Sequence, residues 1–266
     1  MRWPFTVGLW VAVLFIGAGA HAQDAQQAPS QAQTEAEAFP DVDTLLGGVD
    51  ANLTFTSRAA TMRMTVEGKR RTRVFEMQSF GRGEDQAAIE YLAPARDKGT
   101  KMLRRGDELW MFMPAVDRVQ KISGHMLRQG MMGSDVSYED MMGAAALRDA
   151  YTAEVVGSET VGGEAVWKVE MKAKDDSVAY PRRVAWITKD SRVPVRQELY
   201  ALSGMKLKTW EMSEVKTFDG DRRFPTRMEI IDHVSEGGRT IIELTEMSFG
   251  VELDNEVFSQ RWLERR

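Results

Sequence analysis

The chain has 266 residues, a formal net charge of −5 and no cysteine. The lack of cysteine excludes disulfides, thiolate metal sites, cysteine nucleophiles and lipid attachment through an N-terminal cysteine. A mildly acidic chain has no general attraction to nucleic acid. The chain has only three histidines, which argues against a multi-histidine zinc site. We therefore expect no nucleic-acid partner, no metal and no other cofactor.

The first 22 residues have the features of a cleavable export signal. Arg2 supplies a positive charge, residues 5–16 form an apolar run, and Ala20-His21-Ala22 fits the cleavage pattern. The alternative is a retained membrane anchor, but the run is shorter than the roughly 20 residues that a spanning helix needs. The sequence therefore predicts a signal peptide over residues 1–22 and a soluble mature protein outside the cytoplasm.

Residues 23–40 are mostly Ala, Gln and Glu, and we expect a flexible leader there because such a stretch buries little apolar area. Residues 41–266 are then predicted to form one domain. It begins with a short helix that Asp41 or Asp43 is placed to cap. Its apolar residues recur at helical spacing. They are Leu45, Leu46, Val49 and Leu53.

From about residue 59 the apolar pattern has a period of two, which is typical of strands buried on one face. The clearest example is Trp167, Val169 and Met171, which alternate with charged residues. In two later runs the apolar parity switches after Leu207 and after Leu244, and such a switch predicts a β-bulge. Long bulged strands joined by glycine-containing turns predict a mainly β fold, a curved antiparallel incomplete β-barrel.

Residues 123–150 lack this alternation and are predicted to form loop plus helix, with residues 138–146 as the best helix candidate. The segment is rich in methionine, and an apolar insert of this kind is expected to cover a sheet face that would otherwise expose a large apolar patch. We call residues 123–150 the lid segment and expect it to be mobile. Gly130, Gly133 and Gly143 are candidate hinges.

Residues 94–143 carry three motifs in a distinctive order. They are Asp97-Lys98-Gly99-Thr100, then Leu109-Trp110-Met111-Phe112-Met113-Pro114, then Met132-Gly133-Ser134-Asp135 with Ser137-Tyr138-Glu139-Asp140. This order resembles the LolA-like outer-membrane lipoprotein-sorting family, in the branch associated with lipid-exporting transporters. Met131 and Val136 stand where an aromatic residue is expected, although both remain apolar.

The resemblance implies a LolA/LolB-like incomplete barrel with a helical lid and an apolar cavity that holds acyl chains. It implies a periplasmic shuttle in a two-membrane bacterium, with lipid or lipoprotein acyl chains as cargo and an inner-membrane transporter as a candidate partner.

The residues themselves support an apolar site. Residues 109–113 are apolar on both parities, which is typical of a strand covered on both faces, and methionine adapts its shape to variable apolar ligands. We expect one face of this strand to be covered by the lid segment together with the ligand in the cavity. The alternative for any single methionine is an ordinary core position. The candidate ligand-binding residues are Met102, Trp110, Phe112, Met131, Met132, Tyr138, Met141 and Met142.

Two other constellations are weaker. Asp135, Glu139 and Asp140 could be calcium ligands, but they lack the spacing of an EF-hand. Ser134, His125 and Asp135 are the residue types of a hydrolase triad, but Ser134 lacks the flanking glycines of a nucleophile elbow. Asp135 or Ser137 is instead expected to cap the helix near Tyr138. We therefore predict a non-enzymatic carrier. The alternatives are an adaptor or regulatory subunit of an envelope lipid transporter, and an envelope hydrolase.

Overall fold

A computed structural model describes residues 38–142, 147–176, 178–235 and 238–265. The predicted signal peptide over residues 1–22, residues 23–37 of the predicted leader and the candidate hinge Gly143 lie outside these ranges. Phe39–Arg266 forms one compact unit. None of the helices in the described residues is long and apolar enough to cross a membrane.

The first helix, α1, spans Val42–Leu53 and begins as predicted at Asp41, whose carboxylate accepts a hydrogen bond from the Thr44 amide at 2.8 Å. Glycine weakens a helix interior, but here it allows close packing. A Cβ atom on Gly48 would lie 2.2 Å from Cδ of Arg192, whose guanidinium donates to the Thr44 carbonyl at 3.1 Å. The helix is therefore supported by tertiary contacts rather than by its intrinsic propensity.

Thirteen strands follow in the described residues, and all of them pair antiparallel. They are β1 Ser57–Gly68, β2 Thr72–Arg82, β3 Gln86–Ala93, β4 Lys101–Arg105, β5 Glu108–Met113, β6 Arg118–Ile122, β7 Tyr151–Val161, β8 Glu164–Ala173, β9 Arg182–Thr188, β10 Pro194–Tyr200, β11 Lys206–Phe218, β12 Arg222–Asp232 and β13 Gly238–Phe249. They form one open, curved sheet in the order β6-β5-β4-β3-β2-β1-β13-β12-β11-β10-β9-β8-β7. The mainly β, incomplete-barrel prediction is confirmed.

Both predicted changes of parity coincide with breaks in strand pairing. Between β1 and β13, Thr61 lies opposite Glu246 and Met62 opposite Leu244, so one residue of β13 is extra. The pairing of β10 with β11 likewise skips Leu207. An extra residue in one strand shifts every later side chain to the other face and increases the local twist. These bulges help to curve the sheet.

The two faces of the sheet carry different covers. The inner face, defined by Met64 of β1 and Val169 of β8, holds one apolar cluster against the lid segment and a second against α1. The outer face, defined by Trp110 and Trp186, is covered near β4 and β5 by the C-terminal helix α3, Gln260–Glu264. The second helix, α2, spans Leu147–Ala150 at the end of the lid segment.

The predicted α-helix over residues 138–146 is wrong in its described part. Residues 138 and 139 form a turn, Asp140–Met142 forms one 3-10 turn, and residues 143–146 lie outside the described ranges. The amide of Tyr138 donates to the Gln129 carbonyl, so the chain folds back on itself before a helix begins. The Ser137 hydroxyl and the Asp140 carboxylate accept from each other's amides, at 3.2 and 2.7 Å. Ser137 is thus a cap, as predicted, but of a shorter turn.

Candidate ligand-binding site

The lid segment connects the two edges of the sheet, because it runs from β6 to β7. A chain that joins opposite edges must cross a face, and this one crosses the inner face. Met131, Val136 and Tyr138 are buried against the strands, with 1%, 1% and 7% of their surface exposed. In its described part, the segment therefore packs on the sheet through these residues instead of looping into solvent.

The apolar cluster that the inner face and the lid segment form together is rich in methionine. Six buried and six partly buried methionines belong to it, out of seventeen in the chain. The buried ones are Met62, Met64, Met77, Met102, Met111 and Met131, and the partly buried ones are Met113, Met126, Met132, Met141, Met228 and Met247. Because methionine is unbranched and polarizable, this surface can repack around apolar groups of different shape.

Polar contacts fasten the lid segment to a row of inner-face residues. Arg73 of β2 donates to the carbonyl oxygens of Met132 and Gly133, at 2.7 and 2.8 Å. The Thr240 hydroxyl of β13 accepts from the Asp135 amide at 2.9 Å and donates to its carboxylate at 2.7 Å. Arg73 and Thr240 flank Val66 in the sheet register, so the segment follows this row.

A third attachment is a buried ion pair. Asp140 lies 2.6 Å from Nζ of Lys208 on β11, and their side chains are only 4% and 8% exposed. The hydroxyl of Tyr180 donates to the other Asp140 oxygen at 2.6 Å. Burial, and then the neighbouring Asp140 carboxylate, raise the pKa of Tyr180 well above its usual value, so this phenol remains a donor. Breaking a buried pair is costly because each charge loses its partner.

The structure brings most of the predicted site residues together. Met102, Met131 and Tyr138 are buried in the cluster, and Met132 and Met141 pack against it. The side chain of the remaining methionine of the lid set, Met142, lies outside the part of the chain that the structure describes.

Trp110 and Phe112 do not line this cluster. They are on the outer face with Phe258, Trp262 and Leu263, whereas Met111 between them faces inward. Successive side chains in a strand point to opposite faces, so only one parity of β5 can meet the lid segment. The expected double cover of β5 is present, but its second cover is α3.

Sequence reasoning missed Arg73, Tyr180 and Lys208. The partners of Lys208 and Arg73 in the lid segment lie 68 and about 60 residues away along the chain. Lys208 faces inward because the bulge at Leu207 shifts the parity of β11. A local pattern of charges contains no signal for such pairs.

Tyr91 adds a polar atom inside the apolar cluster. Its side chain is fully buried, and its hydroxyl has no hydrogen-bond partner among the described residues. Burial raises the pKa of Tyr91 far above its usual value, which keeps the group neutral. An unpaired buried donor is uncommon, and a ligand acceptor that reached it would satisfy it.

The weaker constellations have other roles. Ser134 exchanges hydrogen bonds with the backbone of Val136 at 3.2 and 3.3 Å, and Asp135 bonds Thr240. These contacts form a turn rather than a nucleophile and its base. Within the described ranges, no three His, Asp or Glu side chains are grouped as a metal site.

Two surface depressions, of about 460 and 230 Å³, lie on the first two and the last two strands of the sheet in chain order. The first includes Glu67, Glu229 and Arg239, and the second includes Thr61 and Glu246. These side chains have the parity of the outer face. Buried residues of the lid segment pack directly on the inner face, so the structure represents a closed form.

Three solved structures share this fold. An outer-membrane lipoprotein-sorting domain from Vibrio parahaemolyticus has 22% identity and a TM-score of 0.75, covering 85% of this chain and all of that one. A DUF1329 family protein from Desulfovibrio piger has 24% identity and a TM-score of 0.77, covering 83% of this chain and 96% of that one. A LolA superfamily protein from Nitrosomonas europaea has 22% identity and a TM-score of 0.69, covering 84% and 100%.

These matches show that the fold is LolA-like, and the fold that the sequence resemblance implied is confirmed. A family model described as "Uncharacterized protein" matches residues 83–265, well over half of the chain, and the chain belongs to that family. No curated protein matches it.

Proposed function

We propose that this protein is a periplasmic carrier that binds acyl chains of a lipid or lipoprotein between the inner face and the lid segment, and shuttles them across the envelope. The observation that carries the proposal is the methionine-rich inner face under a segment that joins both sheet edges. The fold shared with a lipoprotein-sorting domain supports it.

Energetics favour an acyl ligand in this place. Each buried methylene group contributes about 0.8 kcal/mol, so a chain of about ten methylenes offsets several broken contacts of the lid segment. The contacts that must break are Arg73 to backbone carbonyls, Asp135 to Thr240 and Asp140 to Lys208. The two carbonyl contacts and the hydroxyl contact exchange readily with water when the segment lifts. Binding then needs no chemical step and no cofactor.

The adaptor alternative has one observation in its favour. Leu202, Met205 and Val234 are 90%, 54% and 61% exposed on the β10–β11 and β12–β13 hairpins. The hairpins are neighbours, because the His233 amide donates to the Leu207 carbonyl at 2.8 Å. An exposed apolar rim of this kind suits a partner protein, such as an inner-membrane transporter. A carrier needs both this partner contact and a site for its cargo, whereas an adaptor needs only the partner contact.

Mass spectrometry of the protein purified from the cell envelope separates the two functions. A carrier is expected to retain a stoichiometric acyl lipid or acylated peptide, released by organic solvent. The matched control is the same preparation of a Met132→Asp variant, which should carry much less. Purified protein without lipid, together with no binding of a fluorescent fatty-acid probe, would contradict the carrier and favour the adaptor.

A further inference from the structure

A compact polar cluster interrupts the apolar inner face. Lys208 of β11 lies opposite Leu199, Leu199 lies opposite Arg183, and Arg183 lies opposite Met171, so all four share the inner face. The cluster consists of Lys208, Arg183, Tyr180, Tyr151 and, from the lid segment, Asp140. It lies between the apolar cluster under the lid segment and the one under α1.

Asp140 is the anion of this cluster. One carboxylate oxygen accepts from Lys208 at 2.6 Å and from the Ser137 amide at 2.7 Å, and the other accepts from Tyr180 at 2.6 Å. Asp232 pairs with Lys208 in the register, but its Oδ1 accepts from the Val234 and Ser235 amides, and the ion-pair partner of Lys208 is Asp140.

A second cation stands beside this pair. The Arg183 guanidinium donates to the Tyr151 hydroxyl at 2.8 Å and packs on the rings of Tyr151 and Tyr180, at 5.0 and 5.4 Å. Among the described residues no carboxylate lies within salt-bridge distance of it. The cluster thus contains two cations, Lys208 and Arg183, and one anion, Asp140. Asp140 belongs to the lid segment, which must move when the site opens.

Opening the lid segment removes Asp140 from a cation that the folded sheet holds on its inner face. An unpaired charge there is unfavourable, and an anion supplied by the ligand offsets that cost. We propose, on the basis of the proposed carrier function, that Lys208 with Tyr180 and Arg183 binds the anionic headgroup of an amphiphile, a carboxylate or a phosphate. Asp140 occupies the same position while the site is closed.

The test compares three probes with the same alkyl chain: dodecanoate, dodecyl phosphate and neutral methyl dodecanoate. We expect both anions to bind the full-length mature protein at least about tenfold more tightly than the ester, which corresponds to about 1.4 kcal/mol. The tighter of the two anions identifies the headgroup class. Binding is measured by displacement of a fluorescent fatty-acid probe.

Two variants assign the effect to the cluster. Asp140→Asn removes the internal competitor and should tighten dodecanoate binding. The double variant Asp140→Asn/Lys208→Met leaves no buried unpaired charge from the pair, so it should fold and lose most of the preference for anions over the ester. Its melting temperature verifies folding.

The outcomes separate this inference from the carrier function. Equal binding of all three probes by the parent, or an undiminished anion preference in the folded double variant, would overturn the headgroup site but leave acyl binding intact. If none of the three probes binds, the proposed carrier function itself is contradicted.

Discussion

At the scale of single residues, Arg73 is the simplest test of how the lid segment is held. Arg73→Met keeps the apolar stem but removes the donors to Met132 and Gly133. Hydrogen bonds to charged groups contribute roughly 1.5–3 kcal/mol when buried, and partial exposure reduces this value. We expect the unfolding free energy to fall by about 1–2 kcal/mol, with faster hydrogen exchange of the amides of residues 131–137.

The matched control is Arg63→Met on the neighbouring strand. Arg63 pairs with Glu76 at 3.1 Å, but both side chains are about half exposed, at 51% and 49%. Exposed pairs contribute about 0–1 kcal/mol, so exchange in the lid segment should not change. Equal acceleration in both variants would show that Arg73 does not hold the segment.

Glu198 gives a pH-dependent prediction on the outer face. Burial alone would raise the pKa of its carboxyl, but hydrogen bonds from Tyr200, Arg196 and Lys206 outweigh burial and lower the pKa to about 2. A folded pKa below the ordinary 4.5 stabilises the protein above that pH, and this contribution disappears as the pH falls towards 2.

The variant Glu198→Gln should therefore melt at a lower temperature than the parent at pH 7. The two melting temperatures should converge as the pH approaches 2. Thermal melts across this range test the assignment, which a constant difference between the two proteins would refute.

At the scale of elements, the lid segment and the sheet should respond differently to a charge. Met171 is fully buried in β8, and a carboxylate there costs several kcal/mol or becomes protonated. Met132 is only partly buried, and its φ of 53° lies in the left-handed region that Asp tolerates well. We expect Met171→Asp to unfold the domain, and Met132→Asp to lose probe binding with a smaller fall in melting temperature.

This comparison has two outcomes that contradict a lid. In one, Met132→Asp binds the fatty-acid probe as well as the parent does. In the other, both variants lose the same stability, which would make Met132 an ordinary core residue. The melting temperature and the probe affinity must be measured on the same preparations.

The elements themselves differ in how far the sequence predicts them. Strands such as β8 were predictable because Trp167, Val169 and Met171 alternate with charges, and a half-buried strand requires that alternation. The bulges were visible as changes of parity. The helix proposed from Tyr138 was not correct in its described part, where the chain turns back through the bond from the Tyr138 amide to the Gln129 carbonyl and only Asp140–Met142 forms a 3-10 turn.

At the scale of the whole molecule, pairing of β1 with β13 places β6 and β7 at opposite edges and forces the lid segment to cross the sheet. Alternation within β5 shows that Trp110 and Met111 face opposite sides, but not which side is inner. The pairing of Asp140 with Lys208 depends on the same topology. Such long-range choices are set by strand order, which local patterns do not contain.

If the lid segment covers the binding site, acyl ligands enter only when it lifts from the inner face. Because the chain has no cysteine, a single engineered disulfide can test this directly. Asp135 and Thr240 already join the segment to β13 through two hydrogen bonds, at 2.9 and 2.7 Å. The double variant Asp135→Cys/Thr240→Cys should therefore place two sulfur atoms close enough to bond.

Binding of the fluorescent fatty-acid probe is measured on this variant before and after reduction, with the disulfide verified by mass and with each single-cysteine variant as a control. We expect that the oxidised protein does not bind the probe and that reduction restores binding to the level of the single variants. Equal binding by the oxidised and reduced forms would contradict it.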